Sequence, residues 1–185
     1  MAKDRKIDLV ILGLLAHEDL TGYDIKKYID GSISFFWKGS FGSIYPALSG
    51  MEQQGLVKRK KSDNSGGREK IAYHLTPKGK DALKTWLNEE RVSNELRYET
   101  LLKLYFGGVE DRSVTIRNIE LFEEKIRHDL EILNIYKSNL EKVLDEEDHL
   151  YYYLTVTFGI DTYEAYLKWC ARSKKLLKNI KKNRQ

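Results

Sequence analysis

The sequence predicts a mainly α-helical protein that carries one β-hairpin and divides into two domains. Apolar residues follow helical spacing through most of the 185 residues, and strand alternation interrupts them once, near residues 57–75. Charge is divided unevenly: residues 1–89 hold 15 Lys and Arg against 11 Asp and Glu, whereas residues 90–185 hold 17 of each. We therefore predict a basic domain at 1–89 and a second, helical domain at 90–185.

Two short helices are predicted at the start of the chain. Residues 5–16 place apolar side chains, among them Ile11 and Leu15, at the spacing of a helix that packs on its neighbours. Thr21 is followed three residues later by an acid, Asp24. This pattern is typical of an N-cap, so it predicts the beginning of a second helix.

A third helix is predicted around residues 41–53, and its two faces differ. A step of about 100° per residue puts Phe41, Ile44, Leu48 and Met51 on one side. The opposite side carries small or uncharged residues, namely Gly42, Ser43, Pro46, Ser49, Gly50 and Gln53. Solvated helix faces usually carry long charged side chains, so this face suits close approach by something large, which is either another domain or a nucleic acid.

A hairpin follows the third helix. Gly55 ends the helix, and residues 56–61 and 68–75 read as two strands joined by a glycine-rich turn at 62–67. Alternation in the second strand predicts one inward set, Ile71, Tyr73 and Leu75, and one outward set, Lys70, Ala72 and His74. Three helices followed by a two-stranded wing is the order of a winged helix-turn-helix, whose third helix enters the DNA major groove.

The predicted hairpin is strongly basic. Its cations are Lys58, Arg59, Lys60, Lys61, Arg68 and Lys70. Lysines on an edge strand can simply discourage the addition of further strands. A cluster of about six cations beside a helix with a bare face is also what phosphate binding by counterion release requires, and we favour this interpretation.

The second domain is predicted to consist of long helices. Within residues 112–144, apolar residues from Ile119 to Val143 fall at alternating steps of three and four, and a stripe of this length, roughly 36 Å, needs a partner of similar length. The last helix, at 149–180, is predicted to supply that partner through Leu150, Leu154, Phe158, Tyr166, Trp169, Leu176, Leu177 and Ile180. Residues 151–158 are rich in β-formers, but this half of the chain has no second strand-like run to pair with them.

No catalytic, metal or cofactor site is predicted. The four histidines are scattered, with no pair four residues apart, and the chain lacks a glycine-rich phosphate loop and a nucleophile elbow. The single Cys170 cannot form an intramolecular disulfide, which agrees with a reducing compartment. No apolar run approaches the roughly 18 residues of a membrane span. We therefore expect a cytoplasmic protein that is not an enzyme and does not enter a membrane.

Five short motifs, at residues 11–15, 21–25, 42–48, 52–57 and 73–79, are typical of one family, and the Tyr-Pro pair in the third helix is the most specific of them. Through these motifs the sequence resembles the PadR-type transcriptional regulators. The resemblance implies a winged helix-turn-helix in which Ser43 and Tyr45 contact DNA. The full predicted DNA-binding set is Ser43, Tyr45, Ser49, Gln53, Lys60, Lys61, Arg68 and Lys70.

The C-terminal half resembles, more loosely, the subfamily in which long helices form a homodimer. This resemblance implies a dimerisation domain, for which the predicted residues are Ile119, Phe122, Ile126, Leu133, Leu140, Leu154 and Trp169. Aromatic residues of the last helix either pack this domain or line a pocket for a small aromatic effector, since relatives bind planar phenolic compounds. The candidate pocket residues are Tyr152, Phe158, Tyr166 and Trp169.

The sequence therefore predicts a homodimeric, ligand-responsive repressor that binds a palindromic operator in double-stranded DNA. The alternative is a winged-helix module in which the bare face of the third helix docks a protein instead of DNA. Salt dependence separates the two, because only the first relies on phosphate neutralisation.

Overall fold

The computed structural model of the chain describes residues 6–37, 41–62, 70–90, 98–145 and 147–179. It divides into two compact units, Met1–Asn94 and Glu95–Gln185. The first unit contains four α-helices and three strands among its described residues. In chain order these are α1 Lys6–Leu15, β1 Leu20–Thr21, α2 Gly22–Tyr28, α3 Ile44–Gln53, β2 Val57–Ser62, β3 Lys70–Leu75 and α4 Pro77–Leu87.

The capping box predicted before the second helix is confirmed. Asp24 N donates to Thr21 Oγ1 at 3.2 Å, and Thr21 N donates back to Asp24 Oδ2 at 3.1 Å. Thr21 also belongs to a short strand that the sequence analysis did not predict. This strand, β1, pairs antiparallel with β3 through Leu20 opposite Tyr73 and Thr21 opposite Ala72. The sheet therefore has three strands in the order β1, β3, β2.

The two-faced character of α3 is also confirmed. Ile44, Leu48 and Met51 are at most 1 % exposed and pack into the core of the first unit. That core is shared with Ile11, Leu12, Leu15, Leu20, Ile25, Ile29, Val57 and Tyr73. Pro46 lies in the first turn of α3, where its ring fits the helix. Burial of one apolar face thus fixes which side of α3 meets the solvent.

The inward and outward sets predicted for β3 are only partly right. Tyr73 is buried and His74 is exposed, as expected, but Ile71 is 48 % exposed and Ala72 is 8 % exposed. Ile71 lies opposite Lys61, two residues closer than Tyr73 to the tip of the hairpin. The core does not cover the strand at this position, so the side chain is exposed. Ala72 is small and lies in the central strand, flanked by Thr21 and Lys60, so its neighbours bury it on the outer face.

The beginning of α4 is fixed against the end of α3. Thr76 is the N-cap, and its hydroxyl accepts from Gly79 N at 3.0 Å and donates to Gly55 O at 2.7 Å. Lys78 Nζ donates to Gln54 O at 2.8 Å. These bonds satisfy carbonyls that the end of α3 leaves free, so α4 holds the connection between α3 and β2.

The second unit consists of helices in its described residues. They are α5 Glu99–Tyr105, α6 Arg112–Leu140 and α7 Glu147–Asn179. The residues with high β-propensity at 151–158 lie inside α7, which confirms the prediction of a helix. None of the described helices is long and apolar enough to cross a membrane.

The long helices α6 and α7 pack against each other along their length. Ile119, Ile126 and Leu133, spaced by seven residues, are at most 4 % exposed, which confirms the predicted seam on α6. On α7 the fully or nearly buried residues are Ile160 and Cys170. The two backbones come close at Gly159, where a Cβ would stand 3.0 Å from Leu133 Cδ1.

The face of α7 predicted to pack on α6 is wrong in its first half. Leu150, Leu154 and Phe158 are 46 %, 55 % and 69 % exposed. Apolar residues occur on more than one side of α7, so spacing alone cannot decide which side faces α6. From the second half of the predicted set, Tyr166, Trp169 and Leu177 are half-buried, whereas Leu176 is 56 % exposed, so the prediction is wrong for Leu176 as well. Ile180 lies outside the described residues.

One ion-pair cluster joins α6 to α7. Glu123 forms a salt bridge with Lys174 from α7 and another with Arg127, the latter at 2.7 Å. The hydrogen bond from the Lys174 ammonium holds the pKa of the Glu123 carboxyl below its usual range. The pair fixes the register of the two helices near the buried Cys170.

Candidate nucleic-acid interface

The outward face of α3 carries the predicted contact residues of this helix except Ser43, which is its N-cap because residues Phe41–Ser43 form a 3₁₀ turn before α3. Tyr45 is 65 % exposed. Gln53 is also exposed, and Ser43 and Ser49 are half-buried at the surface. No Lys or Arg occurs between Ile44 and Gln53, so this surface offers hydroxyl and amide groups without a positive charge of its own.

The positive charge lies on the neighbouring hairpin. Lys58, Arg59 and Lys60 follow one another in β2, and all three are exposed. Arg59 lies opposite Tyr73, whereas Lys60 lies opposite Ala72, so successive cations point to opposite faces of the sheet. Of the other predicted cations, Lys61 lies in β2 and Lys70 in β3, but the side chains of both are outside the described part of the structure. Arg68 is outside the described residues.

A salt bridge joins the basic strand to the end of α3. Arg59 Nε lies 2.8 Å from Glu52 Oε2, and its guanidinium carbon is 6.0 Å from the centre of the Tyr73 ring. Glu52 precedes Gln53, the last residue of α3. The pair therefore holds Arg59 of the hairpin beside the last turn of α3.

A second carboxylate, Asp19, meets the hairpin just before β1. Its Oδ2 accepts from Lys60 Nζ at 3.0 Å, and its Oδ1 lies 2.6 Å from His74 Nδ1. These hydrogen bonds, the one with His74 first and the one with Lys60 second, hold the pKa of the Asp19 carboxyl below its usual range. Asp19 is therefore ionised at neutral pH and holds one of the cations predicted to bind phosphate.

This surface can bind a polyanion at short range. Small residues on α3 allow close approach, hydroxyl and amide groups can bond to phosphates or base edges, and the cations of β2 can neutralise phosphates. Asp19 and Glu52 were not predicted as part of the site. Asp19 is distant in sequence from its partner Lys60, and the salt bridge from Glu52 depends on the turn after α3, so neither pairing has a signal in local spacing.

The predicted effector residues are not gathered at one place. Tyr166 and Trp169 both contact Phe122, with ring centroids 5.9 and 6.3 Å apart. Tyr152 instead lies 6.1 Å from the His149 ring, and Phe158 is 69 % exposed. The structure therefore retains Tyr166 and Trp169 as one aromatic group and separates Tyr152 and Phe158 from it.

Tyr98 completes this aromatic group, and the sequence analysis did not identify it. Its ring meets Phe122 and Tyr166 edge to face, and its hydroxyl lies 2.6 Å from the Tyr166 hydroxyl. Burial raises the pKa of the Tyr98 phenol and raises that of neighbouring Tyr163 to about 12. Both phenols are therefore uncharged at neutral pH, which suits stacking with a planar ring.

The predicted dimerisation residues differ in how exposed they are in the single chain. Ile119, Ile126 and Leu133 are at most 4 % exposed. Phe122, Leu140 and Trp169 are half-buried. Leu154 is 55 % exposed and is accessible to a partner.

In the first unit, helices pack around a buried core and present the uncharged face of α3 beside a basic hairpin. This arrangement defines a winged helix-turn-helix DNA-binding protein. The sequence profile described as "Transcriptional regulator PadR-like family" matches residues 11–85. A second profile, "Virulence activator alpha C-term", matches residues 96–178. The DNA-binding unit of the chain, at residues 11–85, belongs to the PadR-like family. The chain is a DNA-binding transcriptional regulator and not an enzyme.

One relative is the negative transcriptional regulator PadR of Bacillus subtilis, which is 26 % identical over 173 residues, or 89 % of this chain and 93 % of that protein. The crystal structure of Bacillus subtilis PadR in complex with operator DNA is similar with a TM-score of 0.80, at 26 % identity, over 94 % of this chain and 99 % of that one. The structure of the same regulator in complex with p-coumaric acid has a TM-score of 0.72 at 25 % identity, again over 94 % and 99 %.

Proposed function

We propose that this chain is a homodimeric repressor that binds a palindromic operator in the cytoplasm and is released from it by a small aromatic effector. The observation that carries the proposal is the uncharged face of α3 next to a basic hairpin: Arg59 is joined to α3 through Glu52, and the exposed Lys58 and Lys60 project from the other face of the same strand. The operator complex of Bacillus subtilis PadR supports double-stranded DNA as the partner of this surface.

In this proposal α3 and the wing have different tasks. Tyr45 donates its hydroxyl to a phosphate, and Ser43, Ser49 and Gln53 contact phosphates or base edges in the major groove. Because α3 lacks arginine, it does not read guanine through a bidentate guanidinium, and DNA shape and contacts with thymine methyl groups carry more of the specificity. The wing cations, with Lys61, Arg68 and Lys70 as further members, supply most of the affinity.

Asp19→Asn is expected to strengthen DNA binding. The Asp19 carboxylate holds the Lys60 ammonium at 3.0 Å, so phosphate must compete with it. An exposed ion pair contributes about 0.2–1 kcal/mol, which corresponds to an affinity gain of up to roughly fivefold at low salt for each chain of the dimer. Fluorescence anisotropy with duplex DNA measures it. Asp161→Asn makes the same charge change on α7 and is expected to leave affinity unchanged; an equal gain in both variants would contradict a specific role for Asp19.

The partner of the second unit in this proposal is another copy of the chain. Leu150, Leu154 and Phe158, each four residues apart, form an exposed apolar stripe on one face of α7. The resemblance to the family supports a dimer formed by these long helices. We propose this stripe, together with the half-buried Phe122, Leu140 and Trp169, as the dimer contact, in place of the residues buried within one chain.

The proposed effector site is the aromatic group Tyr98, Phe122, Tyr166 and Trp169. The Bacillus subtilis PadR complex with p-coumaric acid supports a planar phenolic ligand as the effector class. Such a ligand releases DNA if it binds one dimer arrangement more tightly than the arrangement that fits the operator. The four rings offer apolar faces and uncharged hydroxyl groups for stacking and hydrogen bonding.

Footprinting on duplex DNA from upstream of the protein's own gene tests the proposed function. We expect protection of two symmetric half-sites about one helical turn, or roughly 10 base pairs, apart. Native mass spectrometry of the protected fragment is expected to count two chains for each duplex. Protection of a single asymmetric site by one chain would contradict the dimeric repressor, and absence of protection throughout would favour the protein-docking alternative.

A further inference from the structure

Gly22 lies directly beneath the Tyr45 ring. A Cβ on Gly22 would stand 2.7 Å from Tyr45 Cε1, 3.0 Å from Cζ and 3.2 Å from the hydroxyl oxygen. The first distance is shorter than any ordinary carbon–carbon contact, since such contacts are optimal near 3.5–4.0 Å. The phenol therefore rests on the bare backbone of Gly22, and any side chain at this position would displace it.

The backbone conformation does not explain the glycine. Gly22 is the first residue of α2, and helical dihedral angles are open to every residue. Gly55 differs, because its φ of 71° lies in the left-handed region that favours glycine. The atoms nearest to the position of a Cβ all belong to Tyr45. The absence of a side chain at Gly22 therefore leaves space for the Tyr45 ring.

Tyr45 needs such a support. Its side chain is 65 % exposed, and an exposed ring has several rotamers available unless a neighbour restricts it. Gly22 is buried, and the capping box between Thr21 and Asp24 fixes its position. Thr21 in turn pairs with Ala72 of β3 in the wing sheet. The chain of contacts from Tyr45 through Gly22 and Thr21 therefore ends on the basic hairpin.

We propose that Gly22 is a positioning residue for DNA binding, which holds the Tyr45 hydroxyl at a fixed place relative to the wing so that both reach the same duplex together. The inference rests on the proposed function, because it assumes that Tyr45 contacts DNA. It assigns a role in the interface to a residue of α2 that itself touches no ligand.

A double-mutant cycle with Gly22→Ala and Tyr45→Ala tests the inference. Fluorescence anisotropy measures the affinity of the full chain for duplex DNA from its own upstream region. Tyr45→Ala removes one phosphate contact from each chain of the dimer, and at about tenfold for each contact it is expected to weaken binding roughly a hundredfold. Gly22→Ala is expected to produce most of that loss, and the double variant is expected to bind no more weakly than Tyr45→Ala alone. Gly13→Ala is the matched control, because a Cβ on Gly13 of α1 meets nothing within 4 Å.

Thermal unfolding of the same proteins separates positioning from folding. Tyr45 is exposed and can turn away from a new methyl group, so Gly22→Ala is expected to unfold within a few degrees of the wild type. If the methyl group instead destabilises the fold, removing the ring in the double variant is expected to restore the melting temperature. Losses of affinity that multiply in the double variant would overturn the positioning role while leaving the Tyr45 contact in place. Undiminished binding by Tyr45→Ala would overturn the contact itself and the role of Gly22 with it.

Discussion

Leu154→Glu combined with Phe158→Glu is expected to convert the protein to monomers and to weaken operator binding by about a hundredfold or more. Both side chains are more than half exposed in the single chain, so the charges enter solvent there and leave α7 intact. In the proposed dimer the same charges would be buried without partners, which is costly. In the dimer, binding of one DNA-binding domain holds the other at high effective concentration near the adjacent half-site. A monomer loses this linkage, which raises affinity by about 10²–10⁴-fold.

Light scattering measures the mass of this variant, and fluorescence anisotropy with an operator duplex measures its affinity. Thr155→Glu combined with Ala171→Glu is the matched control, since it adds two charges at exposed positions about 100° around α7 from the stripe. The control is expected to remain dimeric. A Leu154 and Phe158 variant that stays dimeric would show that the copies meet elsewhere, and a monomer with full operator affinity would contradict the role of dimerisation.

Gly79→Ala is expected to destabilise the first unit by about 3 kcal/mol, because overpacking against atoms that cannot move costs about 1–3 kcal/mol and occasionally more. A Cβ on Gly79 would stand 2.2 Å from the carbonyl oxygen of Leu56 and 2.7 Å from Leu75 Cδ1. The Leu56 carbonyl accepts from both the backbone N–H and the hydroxyl of Thr76, at 3.1 and 2.9 Å. The clash therefore also disturbs the bonds that hold the beginning of β2 beside α3.

Denaturant unfolding measures this loss, and hydrogen exchange in α1 and α3 assigns it to the first unit. Gly13→Ala serves as the control, because it fills open space in a helix and is expected to be neutral or to stabilise by roughly 0.5–1 kcal/mol. Equal stability of Gly79→Ala and Gly13→Ala would contradict the close approach of α4 to Leu56.

The sequence was most informative where local chemistry and burial agree. The capping box of Thr21 and Asp24, the buried face of α3 and the heptad of Ile119, Ile126 and Leu133 all follow from short-range spacing, and the structure confirms them. In each case the spacing of the residues is compatible with only one local structure. The order of the elements then determines the winged helix, because few other folds combine three helices and a hairpin in this order.

The misplaced residues share a different physical origin. The strand β1 is two residues long and forms by pairing with β3, so no local sequence pattern predicts it. Ile71 extends past the edge of the core, which alternation cannot detect. On α7, apolar residues on several sides satisfied more than one helical stripe, and the close approach of Gly159 to Leu133 is among the contacts that select the buried side.

The interface shows the same limit. The cations of β2 were visible in the sequence, but their carboxylate partners Asp19 and Glu52 are contacts between elements. The support of Tyr45 by Gly22 likewise joins two helices through a missing side chain. These contacts depend on how the elements pack, and they decide how much charge is free to meet DNA and where the tyrosine points.

The salt dependence of binding to an operator duplex tests the central claim most directly, namely that the wing cations beside α3 neutralise DNA phosphates. Affinity is expected to fall by roughly 10³-fold or more between about 50 and 200 mM salt. Lys58→Gln combined with Lys60→Gln removes four cations from the dimer, and we expect the slope of log K against log salt to decrease by about 3–4. Lys125→Gln combined with Lys142→Gln on α6 is the control and is expected to keep the wild-type slope. Affinity that ignores salt, or an unchanged slope in the wing variant, would contradict the claim.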